Sequence, residues 1–495
     1  MRPVPRLVAI GLALLLVASC STYRLGDKQL ASDQRSATTA PGTPTASTLP
    51  APLTAEGAAA APGAGPAGSA AAGRAPTANA AAPAGARTAS DRGVTPNTIT
   101  LGIMSASEDT LAAVGATYKG RPMEQVAQPF IDEINAQGGI NGRKVVPAYT
   151  RFNPASADDM VAACINQSQD KKVFASLALL GFYGEGEVCM ANNQTPTLTP
   201  SNSSEYTLYQ REKGWVRQTS MDKDRTLLNW IDWIAASGTA TPATRLGLVY
   251  TDVPEDRQIV QDVVLPYLKG KGLDVKDVAI FTLSSIDAMV GEAQRATFKF
   301  KADGIELVLP VTNFLQFFLF VQQADLIGYV PRYTVTDFGG MTTGTDFYPA
   351  SQWTGVTGTT STLSGQPLKG GVPDTPGAQD CLRVYNAAGL HFNADPNHPT
   401  LPDPVEVASM LGVCEHIALF ADAARRAGVN PTRRSFLDAV GSTGVWSYRV
   451  TGTPPLLFKP NRYDSVDNYA VVRWQPSCDG PNGCYRRIEG FRPGR

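Results

Sequence analysis

Residues 130–145 read FIDEINAQGGINGRKV, and the order of signals in this stretch decides the fold. Upstream and within it, Met123, Val126, Ala127, Phe130, Ile131 and Ile134 recur at three- and four-residue spacing, which puts them on one face of a helix. Gly138 and Gly139 end that helix, because glycine adopts the left-handed backbone of a helix stop without strain. The chain then enters a strand-like run from Lys144 to Tyr149, and a β-rich run from Thr98 to Met104 (TITLGIM) precedes the helix. Strand, helix, turn and strand together are the unit from which parallel sheets covered by helices are built.

The unit repeats. Ser156 is placed to cap a helix running through Cys164, with Asp158 and Asp159 in its first turn. Val173 to Leu180 reads as a buried strand, Glu185 to Asn193 as a short helix and Thr197 to Thr199 as a strand. A second series begins with the helical spacing of Leu227, Leu228, Ile231 and Ile234, and continues with strands at Arg245–Tyr250, Lys276–Phe281, Ile305–Pro310 and Tyr333–Thr336. Phe314, Phe317, Phe318, Val321 and Leu326 form an aromatic helix stripe that reads as core. Beyond Val356 the pattern turns more helical, with a long amphipathic stretch from Pro404 to Gly428. This alternation predicts an α/β protein with largely parallel sheets. About 400 residues exceed what one hydrophobic core organises, so two lobes are expected.

The first residues carry a different message. Arg2 and Arg6 give a positive start, Leu7 to Val17 a short apolar run, and Val17-Ala18-Ser19-Cys20 a small-residue ending. The run is about half of the roughly 20 residues a spanning helix needs, so it is an export signal. Cys20 resembles the lipobox cysteine of bacterial lipoproteins, which implies cleavage after Ser19 and a diacylglyceryl group on the thiol. An ordinary secretory signal followed by cysteine is the competing reading. From Arg35 to Gly93 there is no aromatic residue and no Ile, Val or Met. Such a segment buries too little to offset its ordering entropy, so residues 20–92 are expected to form a disordered tether behind the 1–19 signal peptide. The expected location is extracytoplasmic, lipid-anchored to the cell membrane.

Lysine and arginine total 43 against 44 acidic residues, a net charge of −1, so no nucleic-acid footprint exists. With Cys20 lipidated, six of the seven cysteines remain, an even number that implies disulfides outside the cytoplasm. Six cysteines allow 15 connectivities; chain neighbours favour Cys164–Cys189, Cys381–Cys414 and Cys478–Cys484. No pair has CxxC spacing, so zinc is not expected. Of the three histidines, His416 reads as a surface or lobe-interface residue, and Asp395, His398 and Asp403 share a loop without matching a metal scheme. There is no HExxH, GxSxG or P-loop, and Gly181, Gly184 and Gly186 do not form a dinucleotide fingerprint. Neither catalysis, cofactor nor metal is expected.

The segment 130–145 resembles the first helix and turn of the leucine/isoleucine/valine-binding family of solute-binding proteins, the type I periplasmic binding proteins of ABC importers. KVFASLALLG (172–181), TPTLTPSNSS (195–204), VQQADLIGYVP (321–331) and ALFADAARRAGVNPTRRSFLDAV (418–440) follow the family pattern in the same order. The resemblance spans roughly Gly93 to Gly441 and implies a two-lobed type I periplasmic-binding-protein fold. Each lobe is then a largely parallel sheet flanked by helices, with three crossovers and a ligand enclosed at the strand carboxyl ends. Crossovers are expected near Ser220–Asp224, Trp353–Gly358 and Gly441–Trp446, giving lobes of 94–221 with 354–443 and 222–353 with 444–495.

By position, Ser201 and Ser203 match a loop that holds ligand in the family; capping of the following helix is an equal reading. Tyr183 lies in Gly181-Phe182-Tyr183-Gly184-Glu185, which departs from the hydroxyl-rich turn of relatives, and Val114 departs from a position that is often aromatic. Thr312, Asn313 and Asp337 fall at second-lobe strand ends, where Asp337 is placed to pair with a ligand ammonium. The implied activity is capture of a small polar ligand, an amino acid or similar, by a monomer that delivers it to an ABC transporter permease. The alternative is a surface receptor or scaffold lipoprotein that keeps the fold without a transport role.

Overall fold

The computed structural model describes residues 85–495 apart from 108, 110–120, 155, 180, 338–347, 362–367, 370–371, 396–397, 448–449, 451–453 and 477–483. The signal, Cys20, nearly all of the tether, Val114 and Cys478 lie outside the described residues, as do the side chains of Asp395 and His398.

The opening unit forms as its spacing dictates. Strand β1 (Thr98–Ala106) leads to helix α1 (Met123–Ala136) and strand β2 (Lys144–Phe152), and all six periodic apolar residues of α1 are buried. Gly138 and Gly139 follow the helix at φ 93° and 74°. A Cβ on Gly139 would sit 2.0 Å from the Arg143 carbonyl oxygen, so this turn admits no other residue without moving backbone. Ser156 caps α2 (Ala157–Ile165) by accepting the Asp159 N–H. Strands β3 (Ala175–Ala178), β4 (Thr197–Thr199) and β5 (Val216–Gln218), with helix α3 (Glu185–Asn192) between β3 and β4, complete the first lobe's parallel sheet, in the order β2-β1-β3-β4-β5.

The second lobe begins with α4 (Lys223–Ala236). Its strands are β6 (Leu246–Thr251), β7 (Val275–Phe281), β8 (Leu307–Val311), β9 (Arg332–Val335) and β10 (Thr357–Thr360), with helices α5 (Pro254–Ile259), α6 (Leu265–Gly270), α7 (Ile286–Ala302), α8 (Phe314–Leu326) and α9 (Ala350–Trp353) between them. The short ribbons β11–β12 (Leu368–Lys369, Val372–Pro373), β13–β14 (Ala394–Asp395, His398–Pro402) and β15–β16 (Gly444–Trp446, Leu456–Phe458) alternate with α10 (Pro376–Ala387), α11 (Pro404–Arg426) and α12 (Arg433–Gly441). The chain ends in β17 (Asn468–Gln475) and β18 (Cys484–Pro493). The second sheet runs β18-β17-β10-β9-β8-β6-β7, parallel from β7 to β10 and antiparallel at β17 and β18.

Two of the expected crossovers shift along the chain. Strand β10 pairs with β9 and β17, so residues 357–360 extend the second sheet beyond the boundary expected at 354. Its sequence, TGTT, carries no apolar alternation and takes its place through backbone pairing. Trp446, Leu456 and Phe458 pack in the first-lobe core with Phe420 and Phe436 of α11 and α12, so the third passage follows Phe458. There it lies against the first: Gln218 N–H donates to the Tyr463 carbonyl at 2.8 Å, and Ser465 N–H to that of Ser220 at 3.2 Å.

Disulfides join Cys164 of α2 to Cys189 of α3 and Cys381 of α10 to Cys414 of α11. Cys484 is also disulfide-bonded, while Cys478, its expected partner, is outside the described residues. Phe317 and Phe320 of α8 are fully buried, and each large apolar side chain of this kind contributes about 1.5–3 kcal/mol. Leu326, read as part of that stripe, is instead 76% exposed. Helix α11 contains a stretch long and apolar enough to cross a membrane, but 78% of its apolar window is buried, which makes it a core helix. His416 on α11 is not a surface residue: its Nδ1 meets the Gly412 carbonyl at 2.7 Å and its Nε2 the Thr219 hydroxyl at 3.0 Å.

The described chain enters the body along the first lobe. Fully buried Arg143 donates to the Thr95 carbonyl at 2.7 Å and the Thr88 carbonyl at 3.0 Å, and also binds the Val429 carbonyl. Asp91 pairs with Arg433 at 2.9 Å at the start of α12.

Candidate functional site

The carboxyl ends of the two sheets meet at a narrow crevice, lined among others by Met160, Tyr183, Glu185, Arg211, Pro254 and Leu283. After β3 the chain turns through Gly181 and Gly184, both at positive φ, while Phe182 packs edge-on against Phe152 at 5.2 Å. This fixes Tyr183, whose hydroxyl accepts a hydrogen bond from Asn313 Nδ2 at 2.8 Å. The opposite end of the same amide caps α8 by accepting the Gln316 N–H at 3.0 Å. One side chain of the second lobe thus starts a helix and reaches the first lobe. Burial pushes the Tyr183 hydroxyl up, so it stays neutral. Beside it, Arg211 donates to both Glu185 oxygens at 2.9 Å.

Ser201 and Ser203 neither cap a helix nor point into open space. Ser201 Oγ donates to Glu187 Oε1 at 2.5 Å, and Ser203 Oγ to Glu187 Oε2 at 2.9 Å. The cap after β4 comes from Ser204, which accepts the Thr207 N–H at 3.2 Å. Glu187 is fully buried and reads in sequence as an ordinary first-turn acid of α3. Met190 and Ala191, three and four residues on, are buried as well, and that spacing was the available sign that Glu187 faces inward.

Glu187 belongs to a buried group that spans the lobes. Glu212, also fully buried, places Oε1 3.4 Å from Ser203 Oγ, and its Oε2 has no hydrogen-bond partner among the described residues. From the second lobe, Glu255 on α5 accepts the Ser204 N–H. Lys223, at the start of α4, lies 3.3 Å from Glu255 and 2.6 Å from Asp256. Burial pushes Glu187 up to about 7 against the hydrogen bonds from Ser201 and Ser203 that lower it. Burial, then the charges of Glu187 and Glu255, holds Glu212 well above the carboxylate range. Burial raises Asp256 to about 6, although Lys223 opposes the rise. For Lys223 burial works against the charge, and Asp256 with Glu255 outweighs it, holding the amine above its ordinary value. No sequence motif announces this group, because its members come from five separate segments.

Thr312 and Asp337 make their hydrogen bonds within the second lobe. Thr312 is fully buried and bonds the Thr251 hydroxyl at 2.9 Å and Gln316 Oε1 at 2.6 Å. Asp337 accepts from Thr360 Oγ1 at 2.6 Å, from Ser361 Oγ at 2.9 Å and from the Ser361 N–H, clamping β9 to the end of β10. It lines a second small pocket with Met221, Asn229 and Tyr469. Asp337→Ala is therefore expected to lower stability by about 2–3 kcal/mol in denaturant unfolding, because three donors lose a charged acceptor. Among the described residues no cluster of three candidate metal ligands occurs.

The sequence matches the periplasmic binding protein family over residues 115–479. Comparison with curated proteins gives no sequence match. Solved structures share the fold at low identity. A fatty acid ABC transporter substrate-binding protein from Thermomonospora curvata aligns with TM-score 0.60 and 15% identity, covering 81% of this chain and 94% of that one. A branched chain amino acid ABC transporter from Thermus thermophilus with bound valine gives 0.59 and 12%, covering 80% and 96%. A solute binding protein of an R. palustris ABC transporter in complex with benzoate gives 0.59 and 13%, covering 81% and 98%. With the family match over most of its length, and two lobes that meet at their strand carboxyl ends, the chain belongs to the periplasmic binding protein family.

Proposed function

We propose that the chain is a lipid-anchored solute-binding protein that captures a small polar molecule, an amino acid or similar, and delivers it to an ABC importer. The observation that carries this reading is the Tyr183–Asn313 contact, which sets two strand ends from different lobes against one another at 2.8 Å. In this reading Tyr183 and Asn313 face the ligand. Ser201 and Ser203 act through Glu187. The working lobes are about 94–221 with 362–458 and 222–361 with 459–495, boundaries drawn from the sheet and core memberships. Native mass spectrometry of the protein purified from its own host tests the capture: a retained small molecule is expected. A second reading, a receptor or scaffold that keeps the fold, draws support from the hydroxyls of Ser201 and Ser203 being engaged by the chain's own carboxylate. Absence of any retained molecule, together with no thermal shift across an amino-acid panel, would favour it.

The anchor is Cys20. Two or more acyl chains, at about 0.8 kcal/mol per buried CH₂, anchor a protein stably on a membrane surface. Cys20→Ser is expected to move the chain from the membrane pellet to the soluble fraction; unchanged sedimentation with the membranes would refute the lipidation.

A further inference from the structure

We propose that closing the two lobes, which sets Glu255 beside Glu187 and Glu212, takes up a proton shared between Glu187 and Glu212, so that the closed crevice is favoured on the acid side of neutrality. This rests on the ligand-capture reading for its purpose, but not for its physics.

The geometry supplies the reason. Glu187 comes from α3 and Glu212 from the segment before β5, both in the first lobe, and Glu255 comes from α5 in the second. Closure brings Glu255 onto the Ser204 backbone, beside the two first-lobe carboxyls. Among the described residues Lys223 is the one amine in the group, and it is shared by Glu255 and Asp256. Asp224, on the turn after Lys223, adds a further negative charge toward Glu255 and accepts the Glu205 N–H at 2.8 Å. On the other side Arg211 faces Glu212 and Glu255 but is engaged by Glu185. Tyr183, the remaining titratable neighbour among the described residues, is neutral. Among the described residues negative groups therefore outnumber cations in a buried space, and charges brought together out of water repel or neutralise. The unpartnered Glu212 Oε2 gives the stored proton a place.

The sign follows from linkage. Opening admits water and removes Glu255, returning a first-lobe carboxyl toward its ordinary range, so the closed state binds more protons. For one carboxyl moving between that range and the value of about 7 at Glu187, the closed-to-open ratio falls about tenfold from pH 6 to pH 8.

The test needs neither ligand nor transporter, which separates its failure from failure of the capture reading. Spin labels on Gln169→Cys and Gln261→Cys, exposed residues of the first and second lobes, report the interlobe distance by double electron–electron resonance. A single short distance is expected at pH 5.5, with a longer population growing toward pH 8.5. Glu187→Gln should stay short at both, and Glu212→Gln serves the same purpose if that variant does not fold. A wild-type distribution that does not change with pH, or an isosteric variant that still titrates as wild type does, overturns the proposal.

Discussion

Lys223→Ala is expected to lower the stability of the folded body by about 3–5 kcal/mol, the usual cost of removing one partner from a buried ion pair. Lys223 is 4% exposed, and its amine lies 3.3 Å from Glu255 and 2.6 Å from Asp256, themselves 7% and 3% exposed. Its removal takes from the two carboxyls the one amine that both hold, and protonation of Asp256 is a direct relief. The loss should therefore depend on pH. With Asp256 already raised to about 6 beside the amine, its carboxyl rises further without it. The variant should recover part of its stability as pH falls from 8 toward 5, where a neutral Asp256 no longer opposes burial. Urea unfolding at these two pH values checks both the size and the slope. A loss below about 1 kcal/mol at pH 8 would mean that the pair is effectively solvated.

Replacing Cys381 and Cys414 together by alanine is expected to cost about 3.5–4 kcal/mol. The bridge closes a loop of sequence separation 33 between α10 and α11, and the chain-entropy relation gives that magnitude. Both cysteines are buried in the first-lobe core, at 0% and 5% exposure, so lost packing adds to the entropic term. The Cys164–Cys189 pair, separation 25, should cost only slightly less by entropy. Thermal unfolding of each double variant, compared with wild type under reducing conditions, separates the contribution of the link from that of the side chains.

What could be read from the sequence was whatever rests on periodicity and local chemistry. The buried face of α1, the glycine stop at 138–139, the Ser156 cap and the span of α8 all follow from spacings within one turn or two. What could not be read depends on partners far away in the chain. Strand β10 is four residues of threonine and glycine whose only reason to be a strand is the backbone of β9 and β17 on either side. Likewise Ser201 and Ser203 look like ligand hydroxyls until Glu187 is placed behind them. Asp337 reads as a cleft carboxylate, and nothing near it in the chain announces the bonds that Thr360 and Ser361 of the β10 end give it. Polar residues at strand ends have the same local signature whether they meet a ligand or the protein itself.

The Arg143 contacts have a mechanical consequence. Residues 88–95 are pinned by a fully buried guanidinium to the loop at Val429, and Asp91 is tied to Arg433. A pull on the chain from the N-terminal side therefore loads this seam first and runs into α12. It reaches neither the crevice nor the paired crossovers at Gln218 and Tyr463. Every contact of the seam lies within the first lobe, so the second lobe holds no part of the grip on the entering chain.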